Sequence, residues 1–207
     1  YIGLMRAGAA VLLINNSVHR DNLKYLLNRY KPEFVYTPFE NSKQLNFETI
    51  ISFKDYLLFK TNYIRSYEIH DEIALLLSTS GTTGKSKFVK LSHKNIFSNS
   101  NSIIKYLSIT DEDRPITTMP MAYSYGLSII NSHLLSGASI VLNDSAFLEK
   151  KFWITLKKNK ATTFGGVPFI FQILKKLRFE EMSLPSLKYI TQAGGNLGKT
   201  FTFELTN

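Results

Sequence analysis

Residues 78–87 read Ser78-Thr79-Ser80-Gly81-Thr82-Thr83-Gly84-Lys85-Ser86-Lys87, and the rest of the chain is best read outward from them. The apolar run before them, Ile73-Ala74-Leu75-Leu76-Leu77, is too short for a helix and is expected to form a buried strand. Val89-Lys90-Leu91-Ser92-His93 follows, and a helical pattern opens at about Lys94. A strand that gives way to glycines, hydroxyls and lysines is suited to holding phosphate. Glycine reaches positive φ and lets backbone approach a ligand. Amide N–H groups and hydroxyls donate to phosphate oxygens, and lysines neutralise their charge.

Two phosphate-loop patterns compete for this stretch. The Walker A loop, Gly-x-x-x-x-Gly-Lys-Ser/Thr, is met at Gly84-Lys85-Ser86 but fails at its first glycine, where Thr79 stands. The segment Thr79-Ser80-Gly81-Thr82-Thr83-Gly84 with Lys87 resembles instead the signature of the adenylate-forming (AMP-binding) superfamily, Thr-Ser-Gly-Ser/Thr-Thr-Gly-x-Pro-Lys-Gly. Ser86 takes the place of the usual proline and Phe88 that of the last glycine, while the lysine is kept as Lys87.

Composition bounds the class. The 207 residues are 44% hydrophobic and 20% charged, as in a globular protein with a core, and contain no cysteine. Disulfides and thiolate metal sites are therefore excluded, in keeping with a cytoplasmic location. The net charge of +9 raises nucleic-acid binding as a possibility. Its lysines are spread along the chain, however, with short clusters such as Lys157-Lys158-Asn159-Lys160 and Lys175-Lys176, so no nucleic-acid partner is expected. No apolar run reaches the ~18–20 residues of a membrane span. The opening Tyr1 to Gly8 has no signal-peptide logic and reads as the end of a helix, so a fragment of a longer chain is expected.

In chain order, Ala9 to Ile14 is expected as a strand and His19 to Leu27 opens an amphipathic helix ended by Pro32. Glu33 to Thr37 returns as a strand, giving a helix–strand–helix–strand unit of α/β type. His19 and His70 are read as surface or capping residues, and residues 38–72 as short strands or loops. Lys94 to Leu107 carries one apolar face, with Ser92 as candidate N-cap. Asp111-Glu112-Asp113 is read as a solvated acidic turn, and Pro115 to Met119 as a strand. Leu127 to Leu135 is a mostly buried helix closed by Gly137, and Ala138 to Leu142 a strand. Phe147 to Asn159 is a helix carrying Trp153 in the core. Thr162 to Pro168 is a strand and turn before the helix Phe169 to Leu177, and Leu187 to Gln192 a strand running into Gly194-Gly195.

Four further stretches carry the same resemblance. Leu4-Met5-Arg6-Ala7-Gly8 with Leu23-Lys24-Tyr25-Leu26-Leu27 echoes the superfamily's early helix pattern. Pro120-Met121-Ala122-Tyr123-Ser124-Tyr125-Gly126 resembles Pro-x-Phe/Tyr-His-x-x-Gly, with Tyr123 replacing the histidine. Gly166-Val167-Pro168 and Ala193-Gly194-Gly195-Asn196-Leu197 match a cleft-lining turn and an Ala-Gly-Gly-x-Leu turn.

The resemblance implies an α/β fold of layered sheets flanked by helices, with residues 1–207 a partial N-terminal AMP-binding domain. Activation of a carboxylic acid by ATP and Mg²⁺, with pyrophosphate release, is the implied reaction. A thiol, from CoA or the phosphopantetheine of an acyl carrier protein, would then take the acyl group. Thr79, Ser80, Gly81, Thr82, Thr83, Gly84 and Lys87 are the implied nucleotide contacts, Thr82, Thr83 and Lys87 acting in catalysis. Gly194 and Gly195 would border adenine, and Tyr123 and Gly126 the small-molecule carboxylate. No metal ligand is assigned. The superfamily's magnesium-binding glutamate, ribose-binding aspartate and C-terminal catalytic lysine would fall beyond Asn207, so residues 1–207 alone are expected not to turn over. A phosphate-loop ATPase and a catalytically degenerate relative, the latter motivated by Ser86, Phe88 and Tyr123, are the alternatives.

Overall fold

The computed structural model describes residues 1–43, 45–64, 67–78 and 87–197. The elements run α1 (Ile2–Arg6), β1 (Val11–Leu13), α2 (Arg20–Tyr30), β2 (Phe34–Pro38), α3 (Phe39–Ser42), β3 (Glu48–Phe53) and β4 (Tyr56–Lys60). They continue as β5 (Ile73–Ser78), β6 (Phe88–Ser92), α4 (His93–Leu107), α5 (Ser124–Leu135), α6 (Lys150–Lys158), β7 (Thr163–Gly166), α7 (Pro168–Lys176) and β8 (Tyr189–Gln192). The chain divides into two compact units, one of residues 1–13 with 73–207 and one of residues 14–72.

The smaller unit is an antiparallel sheet in the order β2-β4-β3, preceded by α2. His19 caps α2, its Nδ1 accepting from the Asp21 N–H, and Lys31 ends it in the left-handed region at φ 42°. Leu26, Leu27 and Phe59 are buried here, and the Thr61 hydroxyl donates to the Pro32 carbonyl at 2.5 Å. The helix–strand–helix–strand order expected across residues 1–37 is present, but its reading as one α/β sheet unit is corrected. β1 and β2 enter different sheets, because β2 finds its partner in the hairpin strand β4.

Among its described residues the larger unit holds two sheets. In the first, β5 is central, with β1 parallel on one side and β6 antiparallel on the other. As the central strand β5 is buried on both faces, Ala74 on one and Leu75 and Leu77 on the other, and Leu75, Leu77 and Val11 pack with Leu127 of α5. Ser92 caps α4 in a full capping box: its hydroxyl accepts the Asn95 N–H at 3.1 Å and the Asn95 side chain accepts the Ser92 N–H at 3.0 Å.

In the second sheet β7 and β8 pair in parallel, with Gly165 opposite Thr191 and Gly166 opposite Gln192. The expected strands at Pro115–Met119 and Ala138–Leu142 contract to single bridges, Pro115 with Thr163 and Ile116 with Val141. Pro115 has no N–H to donate to a ladder, which shortens pairing on that side. Ile116, Phe152, Leu156, Phe164, Phe171 and Leu174 form the main core, with Trp153 packed against it and its indole N–H donating to the Phe147 carbonyl at 2.9 Å. Among the described residues no helix is long and apolar enough to cross a membrane.

Candidate functional site

Ser78, the last residue of β5, pairs directly with Phe88, the first of β6. The strand and the return strand that flank the phosphate-loop signature are therefore neighbours. Phe88, where the superfamily pattern has glycine, is an ordinary strand residue, so the departure is absorbed into β6. Thr79, Ser80, Gly81, Thr82, Thr83 and Gly84 lie outside the described residues. Lys87 is exposed at the entrance to β6.

α5 links that sheet to the glycine turn. Leu127 faces the β5 core, and the helix begins with Tyr123 as its N-cap residue. Gly126 is buried, and a Cβ built on it would lie 2.5 Å from the Pro120 carbonyl oxygen and 2.8 Å from that of Met119. Only glycine lets the helix lie this close to the preceding backbone. Gly126, expected to border a carboxylate, is closely packed against this backbone.

The Tyr123 hydroxyl meets the glycine turn. A Cβ on Gly194 would lie 2.9 Å from Tyr123 Oη and 3.3 Å from Val167 Cγ1, and one on Gly195 would lie 3.0 Å from Pro168 Cγ. Gly194 also has φ +82°, which disfavours any side chain. The Gln192 amide closes the turn by donating to the Gly195 carbonyl at 2.8 Å. Both glycines are exposed, so the turn presents bare backbone beside an aromatic ring, a surface that suits a flat base.

Tyr125 is a second tyrosine crossing from α5 to β8. Its hydroxyl donates to Thr191 Oγ1 at 2.7 Å, and burial raises its pKa above the ordinary phenol value, partly offset by that hydrogen bond. Gly165 makes room for it, because a Cβ there would fall 2.7 Å from Tyr125 Oη and 2.6 Å from Ile129 Cδ1. The Thr118 hydroxyl donates to the Gly165 carbonyl at 2.5 Å.

The acidic turn is corrected. Asp113 is 3% exposed and not a solvated residue: it accepts from the Thr110 N–H at 2.9 Å and from Lys188 Nζ at 2.8 Å. Burial pushes its carboxyl pKa up, but the Lys188 ammonium and the Thr110 N–H outweigh this and hold it below the usual range. His133 of α5 is also buried. Its Nδ1 lies 2.8 Å from the Ile129 carbonyl oxygen and so carries the proton, leaving Nε2 buried without a hydrogen-bond partner among the described residues. Burial lowers its pKa below 6.5, partly countered by that carbonyl and by Asp113.

Of the residues singled out in the sequence, Tyr123, Gly194 and Gly195 come together, with Gly126 behind them. Lys87 stands just before β6 of the other sheet, which packs on α5 through β5. Tyr125, Thr191, Gly165 and the Asp113–Lys188 pair were not anticipated. A hydroxyl partner 66 residues away leaves no local signal.

The family model described as AMP-binding enzyme matches residues 1–205. The chain is 27% identical to an oxalate–CoA ligase of Saccharomyces cerevisiae over 84% of its own length and 32% of the relative's. It is 30% identical to a medium-chain fatty-acid–CoA ligase of Escherichia coli, over 65% of this chain and 24% of that one. The structure of O-succinylbenzoate coenzyme A synthetase from Bacillus subtilis, in complex with AMP, superposes with a TM-score of 0.58 at 26% identity, covering 72% of this chain and 30% of that one. The chain thus spans about a third or less of the length of the curated relatives it matches. With the signature stretch flanked by paired strands and the Tyr123–glycine turn beside α5, the match over residues 1–205 shows that the chain belongs to the AMP-binding enzyme family, the adenylate-forming superfamily.

Proposed function

We propose that the complete protein carrying this chain activates a carboxylic acid with ATP, forming an acyl-adenylate and pyrophosphate, and then passes the acyl group to a thiol. Residues 1–207 are in this reading part of its large N-terminal domain. The supporting observation is the convergence of two motif elements far apart in sequence, Tyr123 and Gly194, on one exposed turn. Two of the relatives are CoA ligases by name, which favours CoA over a carrier protein as the thiol.

The substrate carboxylate is itself the nucleophile, so no activated side-chain nucleophile is needed. The protein's work is to place carboxylate and α-phosphate in line and to stabilise the charge leaving on pyrophosphate. Thr79, Ser80, Gly81, Thr82, Thr83 and Gly84 donate to the β- and γ-phosphates, and the Lys87 ammonium neutralises pyrophosphate. Adenine lies against the bare backbone of Gly194 and Gly195, and Tyr123 borders the carboxylate. Mg²⁺ supplies further charge neutralisation when bound. Mg²⁺ would be held mainly through phosphate oxygens, with few protein ligands.

The test is carboxylate-dependent ATP–pyrophosphate exchange by the complete protein across fatty, aryl, dicarboxylic and amino acids. Exchange with one class is expected, falling by about a hundredfold in Lys87→Ala. A folded protein that binds ATP but exchanges with no acid would contradict the proposal.

A further inference from the structure

Three chain segments start together and finish together. At one end Arg114 N–H donates to Thr162 Oγ1 at 2.7 Å, Thr162 N–H to the Arg114 carbonyl at 2.9 Å, and Lys188 N–H to the Thr162 carbonyl at 2.7 Å. From there the segments run side by side, bridged in parallel at Pro115–Thr163 and Thr163–Tyr189. At the other end are Tyr123, Val167 and Gly194, which the space around Gly194 brings into contact. The Asp113–Lys188 ion pair ties the first and third segments where they begin.

We infer that this ion pair is a register pin: it positions the Gly194–Gly195 turn against Tyr123 and so sets the nucleotide subsite. β8 has four residues, and among the described residues it pairs with β7 alone. A slip by two residues would keep every side chain on its own face, so the hydrophobic pattern does not forbid it. Such a slip would carry the turn about 6–7 Å along the strand. The same slip would carry the Lys188 backbone that far from Asp113, whose carboxylate Lys188 Nζ meets at 2.8 Å in the observed register. Asp113 is itself fixed by the Thr110 N–H, and it is buried, so a register leaving it unpaired is costly. Lys188 is a positioning residue, acting on nucleotide through the strand it begins.

The inference rests on the proposed placement of adenine at Gly194 and Gly195. Its test uses the complete protein with Lys188→Met, Lys188→Arg and the double variant Asp113→Asn/Lys188→Met, reading ATP affinity by calorimetry, KM and kcat by exchange, and the thermal midpoint. Lys188→Met is expected to weaken ATP binding and raise its KM by about tenfold with a smaller change in kcat. Lys188→Arg should return both to near wild type. The double variant leaves no unpaired buried charge, so its midpoint should recover while ATP affinity stays low. It therefore also decides the matter if Lys188→Met does not fold. A folded double variant with wild-type ATP affinity would overturn the pin. Wild-type protein that exchanges with no acid would instead count against the adenylation reading, and the calorimetric comparison would still decide the pin.

Discussion

The Tyr125 hydroxyl donates to Thr191 Oγ1 across 2.7 Å, joining the first turn of α5 to the strand that ends in the glycine turn. It is a neutral bond between half-buried groups, and Gly165 leaves the space in which the phenol sits. Tyr125→Phe keeps the ring and leaves Thr191 without this donor. It is expected to cost about 1 kcal/mol in denaturant unfolding of the complete protein. An unchanged midpoint would show that solvent replaces the bond.

Gly126→Ala is expected to be the more damaging change. Its Cβ would meet two carbonyl oxygens of the Met119-Pro120 backbone, which cannot rotate aside as a side chain can. A loss of about 1–3 kcal/mol is expected, with a fall in exchange activity because Tyr123 moves with the helix start. Gly3→Ala in α1 is the control, since nothing lies within 4 Å of its Cβ and alanine favours the helix. Equal effects of the two substitutions would rule out close packing as the reason for Gly126.

At Gly194 the φ of +82° and the Tyr123 hydroxyl act together against a side chain. Gly194→Ala should raise the KM for ATP more than it lowers the thermal midpoint, because the turn is exposed and little packing depends on it. Steady-state exchange beside thermal unfolding separates the two effects. A lower midpoint with unchanged KM would mean that the turn is only structural.

Acid should weaken the fold in two stages. His133 has a folded pKa below 6.5, so the unfolded chain takes up its proton first. Its contribution is complete above about 6.5 and is lost as pH falls through the lower folded value. Asp113, also lowered, contributes fully above about 3.8 and is lost further down, as pH falls through its own folded value. Lys188 is raised, so its share persists below 10.5 and is lost only as pH rises through the folded value. Unfolding free energy measured from pH 8 to 5 should fall in wild type and be flatter in His133→Asn. Parallel curves would exclude His133 as the group responsible.

Much of this fold was legible because its signals are local. The apolar run at Ile73–Leu77, the Ser92 cap and the Pro168 helix start each act within a few residues, and each is found where the sequence put it. Tyr123 and the glycine pair were legible as matches to a family pattern. Partner choice was not. Nothing near Phe34 says that β2 pairs with β4, and nothing separates Asp113 from Asp111 in a run of three carboxylates. Burial of Asp113 depends on Lys188, 75 residues on, and is decided only when the segments come together.

The chemistry itself is tested most directly by following one oxygen atom. The complete protein would be given ATP, CoA and a carboxylic acid whose carboxylate carries heavy oxygen, and the products read by mass spectrometry. Attack of the carboxylate on the α-phosphate makes that oxygen the acyl–phosphate bridge, and loss of the acyl group to the thiol leaves it on AMP. Label in AMP, one atom per turnover, with unlabelled pyrophosphate, is the expected result. Label in orthophosphate, or thioester formed with unlabelled AMP, would contradict adenylation.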